Sequence, residues 1–364
     1  MKIVLVSLAS RGGMLHFQVE LANAMSRLSS TAVVMSSAAP VSYLEGGVRT
    51  SVVNTGRGPL GSVANAFNPA SWYGIWRAVG TGGADLVHVT GTHAWNPLVA
   101  VFAKLCGKPL LYTVHDPHEH GSAPLSIRIS NWITIRMADA LIVLTQNGEQ
   151  QLIERGVSVR KIHVIPHGAY ALFRQWQRPN IRARKLILYF GRFEAYKGLE
   201  TLAEAFDRVR KDIPGWSLLL AGGGRLPSGL LRPLPPGIDV VSGYVPDEDV
   251  AELMQRARLV VVPYTTATQS GVIATAYAFG RPVIATSVGG LVEMVVHGKT
   301  GLLVPPNDVP ALARAIRLLA RNPDRLRKMG REAHNLGRTL LRWDRIAKMH
   351  VEVYRRILKE NGRR

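Results

Sequence analysis

The sequence predicts an α/β protein of two parallel-sheet domains. Three observations carry that reading. Short β-branched runs alternate with longer helical stretches along the chain; the alternation breaks once, at a polar, basic segment near the middle; and 364 residues exceed one ordinary core and suit two domains of about 150–200 residues each.

The opening MKIVLVSLASRGG places a lysine before a short apolar run, as a secretory signal would. The run spans only Ile3 to Ala9 and stops at Arg11-Gly12-Gly13, which fits a first strand entering a glycine loop better. HFQVELANAMSRL reads as a helix, TAVVMSS and DLVHVTG as strands, WNPLVAVFAKLCG as a helix, and PLLYTVH, ADALIVLTQ and KIHVIPHG as strands. ALFRQWQRPNIRARK, residues 171–185, lacks apolar periodicity and reads as an interdomain linker. A second series follows: strands in KLILYFGR, WSLLLAGGG, IDVVSGYV, RLVVVPY, PVIATSVGG and GLLVPP, with helices in GLETLAEAFDRVRK and DEDVAELMQRA. The final helices are VPALARAIRLLARN and WDRIAKMHVEVYRRILKEN, the last carrying Ile346, Met349, Val353 and Ile357 at helical spacing on a strongly basic tail. The expected division is 1–170, 171–342 and a tail of 343–364, with the carboxyl ends of strands lining a cleft between the two sheet domains.

Composition narrows the function classes. Apolar residues make up 47% of the chain and charged residues 19%, a globular balance. The single cysteine, Cys106, excludes an intramolecular disulfide framework and a cysteine-rich metal site, and points to a reducing compartment. No run approaches the roughly 18 apolar residues of a membrane span. Net charge is +20, and from Pro305 onward there are 16 Lys/Arg against 6 Asp/Glu. Such a surface attracts nucleic acid, anionic lipid or phosphorylated substrates, although a solvated helix face has the same composition.

Four segments carry chemistry. In KLILYFGRFEAYKGLETL a strand delivers Gly191 and Arg192 to a turn, and Lys197-Gly198 opens a helix. Arg through its fork and Lys as a point charge, beside free helix N–H groups, can grip a pyrophosphate. After Pro263, the loop TTATQ leads into Ser270-Gly271-Val272 at a second helix start, where Gly271 permits close approach of backbone amides to an oxyanion; an ordinary Ser N-cap accounts for the same residues. Gly12-Gly13 follows the first strand without GxGxxG spacing, and GxxxxGK[ST] is absent, which weakens hydride transfer and P-loop ATP hydrolysis. In TVHDPHEHG, His115 follows a strand, with His118, Glu119 and His120 behind it. The spacing matches no zinc motif, and a catalytic or sugar-orienting His115 is better founded. His88, His93, His163 and His167 read mostly as structural histidines.

At these residues the chain resembles glycosyltransferase family 4, over essentially its whole length. GRFEAYKG, LLLAGGG, SGYVPDEDVAELMQRARLVVVPY, AYAFGRPVIATSVGGLVEMVVHGKTGLLVPPND and RWDRIAKMHVEVY carry the likeness. The resemblance implies the GT-B fold of two Rossmann-like domains, with the final helix, Trp343–Leu358, crossing back to the first. It implies transfer of a sugar with retention from a nucleoside diphosphate, without metal or other cofactor. The donor diphosphate would meet Arg192, Lys197 and Ser270-Gly271-Val272, the base Gly243-Tyr244-Val245-Pro246, the phosphate and sugar Gly12 and Gly13, and the transferred sugar His115.

One departure stands out. Members usually carry two glutamates separated by seven residues, one before the glycine helix and one within it; aligned on AYAFG, those places hold Ala267 and Thr275. Neither ionises, so the diphosphate site is kept while donor recognition changes. Gln269 can replace some sugar contacts, and Thr275 can offer one hydrogen bond toward a ribose.

The leading expectation is a working hexosyltransferase for a glycan or lipid-linked acceptor in polysaccharide or glycoconjugate synthesis. It would be cytoplasmic, with the basic tail, and the helix SIRISNWITIRMADA with its Trp132, available to anionic membrane at the cytoplasmic face. The alternatives are a nucleotide-sugar-binding subunit without transfer, a nucleic-acid binder supported only by charge, and an epimerase using Glu119 or Glu194.

Overall fold

The structure is a computed structural model, and it describes residues 1–56, 61, 64–117, 123–230 and 233–362. His118, Glu119 and His120 lie outside the described residues. The chain divides into two compact units, one of Met1–Gly168 with Trp343–Arg364, the other of Ala169–Arg342.

The first unit holds strands β1 (Lys2–Ser7), β2 (Ser30–Ser36), β3 (Arg49–Val53), β4 (Leu86–Val89), β5 (Leu110–Val114), β6 (Ala140–Val143) and β7 (Ile162–Val164). Its helices are α1 (Gly13–Ser26), α2 (Pro69–Trp76), α3 (Asn96–Leu105), α4 (Leu125–Met137) and α5 (Gln146–Glu154). All seven strands are parallel, in the order β3-β2-β1-β4-β5-β6-β7. The strand order reverses between β1 and β4, and in open α/β sheets the crevice outside the carboxyl ends at that point is where ligands bind. Central strands such as β4, β5 and β6 are buried at every residue, as a sheet covered on both faces requires. The edge strand β3, RTSVV, buries only Val53 fully; its polar, half-exposed composition explains why no apolar run announces it.

The second unit repeats the plan with β8 (Leu186–Phe190), β9 (Ser217–Gly222), β10 (Ile238–Ser242), β11 (Leu259–Val262), β12 (Val283–Thr286) and β13 (Gly301–Val304). Its helices are α6 (Leu199–Val209), α7 (Asp247–Arg256), α8 (Gly271–Ala278), α9 (Leu291–Met294), α10 (Val309–Arg321) and α11 (Pro323–Arg338). The strands are parallel in the order β10-β9-β8-β11-β12-β13, so the reversal falls between β8 and β11. Residues 171–185 are strapped onto this unit. Phe173 is buried, Arg178 exchanges two hydrogen bonds with the Gln255 side chain, and the Arg184 amide donates to the Arg256 carbonyl. Aromatic anchoring, which the basic composition hides, gives the segment its fixed path.

The last helix, α12 (Trp343–Asn361), belongs with the first unit. Its buried stripe is Trp343, Ile346, Ala347, His350, Val351, Tyr354 and Ile357, which corrects the expected one: Met349 and Val353 are only half-buried flanks. The stripe turns because its polar members find partners. The Phe17 ring of α1 sits edge-on at 5.2 Å from Trp343, 5.0 Å from His115 and 5.6 Å from His167, edge-to-face pairs of roughly 0.5–1.5 kcal/mol each. Trp343 also lies against Gly168, where a Cβ would come within 2.5 Å of its indole. His88 meets the Tyr354 hydroxyl at 2.6 Å and the Thr113 hydroxyl at 2.7 Å. His350 is fully buried, with Nδ1 2.8 Å from the Ile346 carbonyl and Nε2 without a partner.

Burial dominates these imidazoles. It pushes His350 down to about 4 and His167 down to about 4, the latter against its bond to the Gly168 carbonyl, and holds His88 well below its usual range. The unfolded chain binds more protons between pH 6.5 and 4, so stability falls as pH drops through that window. His350 and His167 each cost about 3 kcal/mol once pH lies below the folded value. The melting temperature should therefore fall steeply from pH 6.5 to 4, and His350→Leu should flatten the slope; a parallel pH profile for the variant would show that His350 is not among the groups responsible.

Candidate functional site

Each sheet presents candidate residues at the carboxyl ends of its strands, some after the strands that flank the reversal point and some after their neighbours. In the first unit Gly12 follows β1 and is the N-cap of α1, with φ of 78°. A Cβ there would meet nothing within 4 Å, so backbone conformation rather than crowding calls for glycine; Gly13 begins the helix. His115 follows β5 and is 96% buried. Its Nε2 lies 2.9 Å from the Thr90 carbonyl just after β4, so Nε2 carries the proton and donates. Burial lowers its pKa against that bond and the nearby Asp116 carboxylate. The neutral ring is clamped between this carbonyl and Phe17, with one tautomer fixed.

In the second unit the loops after β8, β9 and β10 lie side by side. The Phe193 amide donates to the Gly223 carbonyl at 2.6 Å and the Gly243 amide to the Gly222 carbonyl at 2.9 Å. A Cβ on Gly222 would sit 1.7 Å from the Gly191 carbonyl oxygen, so only glycine allows the approach. Gly243 has φ of 134° and open space where a Cβ would lie, Tyr244 is exposed and Val245 is buried.

Arg192 and Lys197 stand out by their electrostatics. Arg192 is 72% exposed and pairs with Glu194 at 2.8 Å. The other Glu194 oxygen is buried without a partner, which fits a carboxylate that restrains Arg192. Lys197 is half-buried, its Nζ 3.6 Å from the Tyr264 ring centre and 4.6 Å from that of Tyr196. Among the described residues no carboxylate pairs with it. Burial works against its charge, but Tyr264 and Tyr196 outweigh burial and raise the pKa. The ring faces and hydroxyls thus hold an ammonium without neutralising it. Sequence reading missed both tyrosines as site residues, although one directly precedes Lys197 and the other directly follows Pro263.

Lys197 is brought to the loop before α8 by backbone contacts. The Thr265 amide donates to the Tyr196 carbonyl at 2.8 Å. Gly198, at φ of 66°, lies so near Pro263 that a Cβ would be 2.0 Å from its carbonyl oxygen. Ser270 is the N-cap of α8; its hydroxyl accepts from the Ile273 amide at 3.4 Å, and its own amide donates to the Met294 sulfur. Gly271 packs under Tyr170, with 3.2 Å left for a Cβ, and Val272 is half-buried. Thr275 is buried and gives its hydroxyl proton to the Gly271 carbonyl at 2.8 Å, so the bond expected toward a ribose is directed into its own helix. Ala267 is buried beneath the Gly290 amide, which donates to its carbonyl. Gln269 is half-buried, and its side-chain oxygen is buried without a partner.

Two family profiles match this chain. Residues 11–169 match Glycosyltransferase Family 4, and residues 184–322 match Glycosyl transferases group 1. A D-inositol 3-phosphate glycosyltransferase from Catenulispora acidiphila is 30% identical over 327 residues, covering 80% of this chain and 76% of that protein. The chain belongs to glycosyltransferase family 4. Glycogen synthase of Mycobacterium tuberculosis is 29% identical over 292 residues, 74% of this chain and 68% of that one. Among solved structures, Anabaena HepE in complex with UDP and glucose aligns at a TM-score of 0.72 and 19% identity, over 97% of this chain and 99% of that one. The family 4 chain thus has the two-domain GT-B fold, and it is a glycosyltransferase of glycan synthesis. Among the described residues no helix is long and apolar enough to cross a membrane.

The Gly198 contact gives a direct check on the geometry. Gly198→Ala places a methyl group on a carbonyl oxygen and an L residue in the left-handed region, so it should cost about 1–3 kcal/mol and displace Lys197. A variant that melts at the wild-type temperature with full transfer would mean the turn is not constrained as described.

Proposed function

We propose that this family 4 protein transfers a sugar with retention from a nucleoside-diphosphate sugar to a glycan or lipid-linked acceptor, and that it does so without a metal ion. The observation that carries the proposal is Lys197: an ammonium held by two tyrosines, with no carboxylate partner among the described residues, at the carboxyl end of the strand-order reversal and beside the start of α8. A donor diphosphate supplies the missing counter-charge. Arg192 turns from Glu194 to the same group, and the free amides of the first turn of α8 add their donors.

The reaction asks little covalent chemistry of the protein. The bond from the sugar's anomeric carbon to the diphosphate oxygen breaks, the bond to the acceptor oxygen forms on the same face, and the acceptor proton passes to the departing diphosphate. Charge builds on that diphosphate, and Lys197, Arg192 and the helix start stabilise it. Gly12 and Gly13 let the backbone come close to the donor. His115, neutral and locked in one tautomer, orients the sugar.

Recognition of the sugar falls to neutral groups. The unpartnered Gln269 oxygen would cost about 1–3 kcal/mol if it stayed unsatisfied, and a sugar hydroxyl satisfies it. Gly243, Tyr244 and the Val245 backbone take the base. The HepE structure contains UDP and glucose, which supports a donor of this class. The neutral places at Ala267 and Thr275 leave a donor preference of their own, and contact of the basic tail with anionic membrane would bring the enzyme to lipid-linked acceptors.

A thermal-shift screen of nucleoside diphosphates and their sugars without metal should give a saturable rise with one base, about 2.7 kcal/mol of stabilisation at a hundred times Kd. Lys197→Ala and Arg192→Ala should each lower transfer about 10²–10³-fold in protein that melts normally; full activity in either variant would remove the diphosphate assignment. His115→Ala should lower kcat while leaving donor affinity nearly unchanged. A loss of affinity alone would make His115 a donor-binding group.

A further inference from the structure

A second cation-rich site lies at the opposite end of the second sheet. Arg258 immediately precedes β11 and Arg281 lies two residues before the start of β12, so both stand at the amino ends of those strands, whereas Arg192 and Lys197 stand at the carboxyl end. Together with the turn after α8 and one face of α11 they enclose a cavity of about 820 Å³, a size that takes a metabolite-sized ligand. From α11 come Arg327, Arg331, His334 and Arg338. Among the described residues no aspartate or glutamate lines it.

Four of the five arginines that line the cavity are uncompensated: among the described residues Arg258, Arg281, Arg331 and Arg338 have no carboxylate within ion-pair distance, while the fifth, Arg327, is paired with Asp324. Arg281 donates one hydrogen bond to the Gln255 carbonyl at 3.1 Å, and its Nε is buried without a partner. Burial and the neighbouring Arg258 push it down to about 10. His334 presents a buried Nδ1 without a partner; burial, then Arg174 and Arg338, lower its pKa. Like charges gathered around one cavity repel, and a buried guanidinium nitrogen left unbonded adds its desolvation cost. A multiply charged anion with several acceptor oxygens relieves both, and guanidinium forks match phosphate geometry.

The cavity walls are rigid, which suits a preformed site. Gly330 of α11 comes so close to the turn after α8 that a Cβ would sit 2.6 Å from the Gly280 carbonyl oxygen. The apolar share of the lining comes from Phe279, Pro282 and Leu326, a surface for the uncharged part of a ligand. From these observations we infer that this cavity binds the phosphate or diphosphate group of a small phosphorylated molecule, at a site separate from the donor diphosphate and independent of that assignment. Eight residues of α8 at about 1.5 Å each separate the helix start at Gly271 from the arginine-lined end.

The test follows the His334 imidazole by NMR, assigned by its loss in His334→Gln, during titration of the full chain with inorganic pyrophosphate. Pyrophosphate should shift the resonance and raise the pH at which His334 titrates. Lys197→Ala should respond as the wild type does. The double variant Arg331→Gln/Arg338→Gln, whose side chains are exposed and whose fold is checked by its melting temperature, should need at least about tenfold more anion. A second arm uses vesicles of phosphatidylglycerol against phosphatidylcholine. If soluble pyrophosphate leaves His334 unmoved, but anionic vesicles sediment the wild type and release the double variant, the phosphate is a lipid headgroup's and the site stands. A His334 response that is unchanged in the double variant, or no response to either probe, overturns the proposal.

Discussion

An ammonium group held by two tyrosines, with no carboxylate paired to it among the described residues, is the interaction on which the candidate site in the second unit depends. Holding a cation half-buried is costly unless something favours its charged form. Here the Tyr264 and Tyr196 rings and hydroxyls do so at 3.6 and 4.6 Å, and they leave its net charge intact. A glutamate in their place would hold the lysine equally well and cancel the field a diphosphate needs. The rest of the local structure serves that placement: Gly198 without a Cβ against Pro263, the Thr265 amide on the Tyr196 carbonyl, and the Ser270 cap that starts α8 just beyond.

What could be read from the sequence follows the strength of each physical signal. Twelve of the thirteen strands were legible as apolar or β-branched runs, the edge strands β7, β10 and β13 among them; β3, RTSVV, was not, because Arg49, Thr50 and Ser51 leave only two apolar residues in a row. Helix α11 was passed over although its packed side, Leu326, Met329, Gly330, Ala333 and Gly337, recurs at helical spacing; two of those five places are glycine, which weakens the apolar stripe without erasing it. The arginine-lined cavity was hidden with it. Arg192 and Lys197 were legible because a strand, a glycine and two cations adjoin in sequence. Their neighbours Tyr264 and Tyr196 were not, because only the fold brings a residue after β11 against one after β8. The stripe on α12 was misread by about a quarter of a turn for the opposite reason: His350 and Tyr354 look polar in sequence, but their buried hydrogen bonds count them among the core.

The two ends of the second sheet show how a parallel fold distributes charge. Every strand runs the same way, so all the loops at one end belong to the carboxyl side and all those at the other to the amino side. Cations without acidic partners occur at both ends. At the carboxyl side they sit with glycine loops whose backbone amides are available, which favours an anion carried close to the main chain. At the amino side they sit on side chains around a cavity, with the carboxyl end of α8 nearby, whose carbonyl dipoles favour cations. That helix end helps explain how several arginines are tolerated together there, and the Arg327 pair with Asp324 shows that carboxylates are available on the same helix yet kept off the cavity wall.

The neutral residues at Ala267 and Thr275 complete the electrostatic argument. A carboxylate near a diphosphate site gains hydrogen bonds to a sugar or ribose at the expense of repelling the phosphates. With Ala267 buried under Gly290 and Thr275 bonded within its own helix, neither that gain nor that repulsion is present. In the proposed site a donor diphosphate would meet Lys197, Arg192 and the helix start with less opposing field, and orientation of the sugar would fall to groups that donate or accept without charge, foremost the amide oxygen of Gln269, which has no partner among the described residues. A neutral acceptor in a partly buried place discriminates by geometry: a hydroxyl at the right position satisfies it and one elsewhere leaves it unpaired, a difference of about 1–3 kcal/mol. If the proposed donor site is right, donor choice rests on the position of a hydroxyl more than on its attraction to a carboxylate.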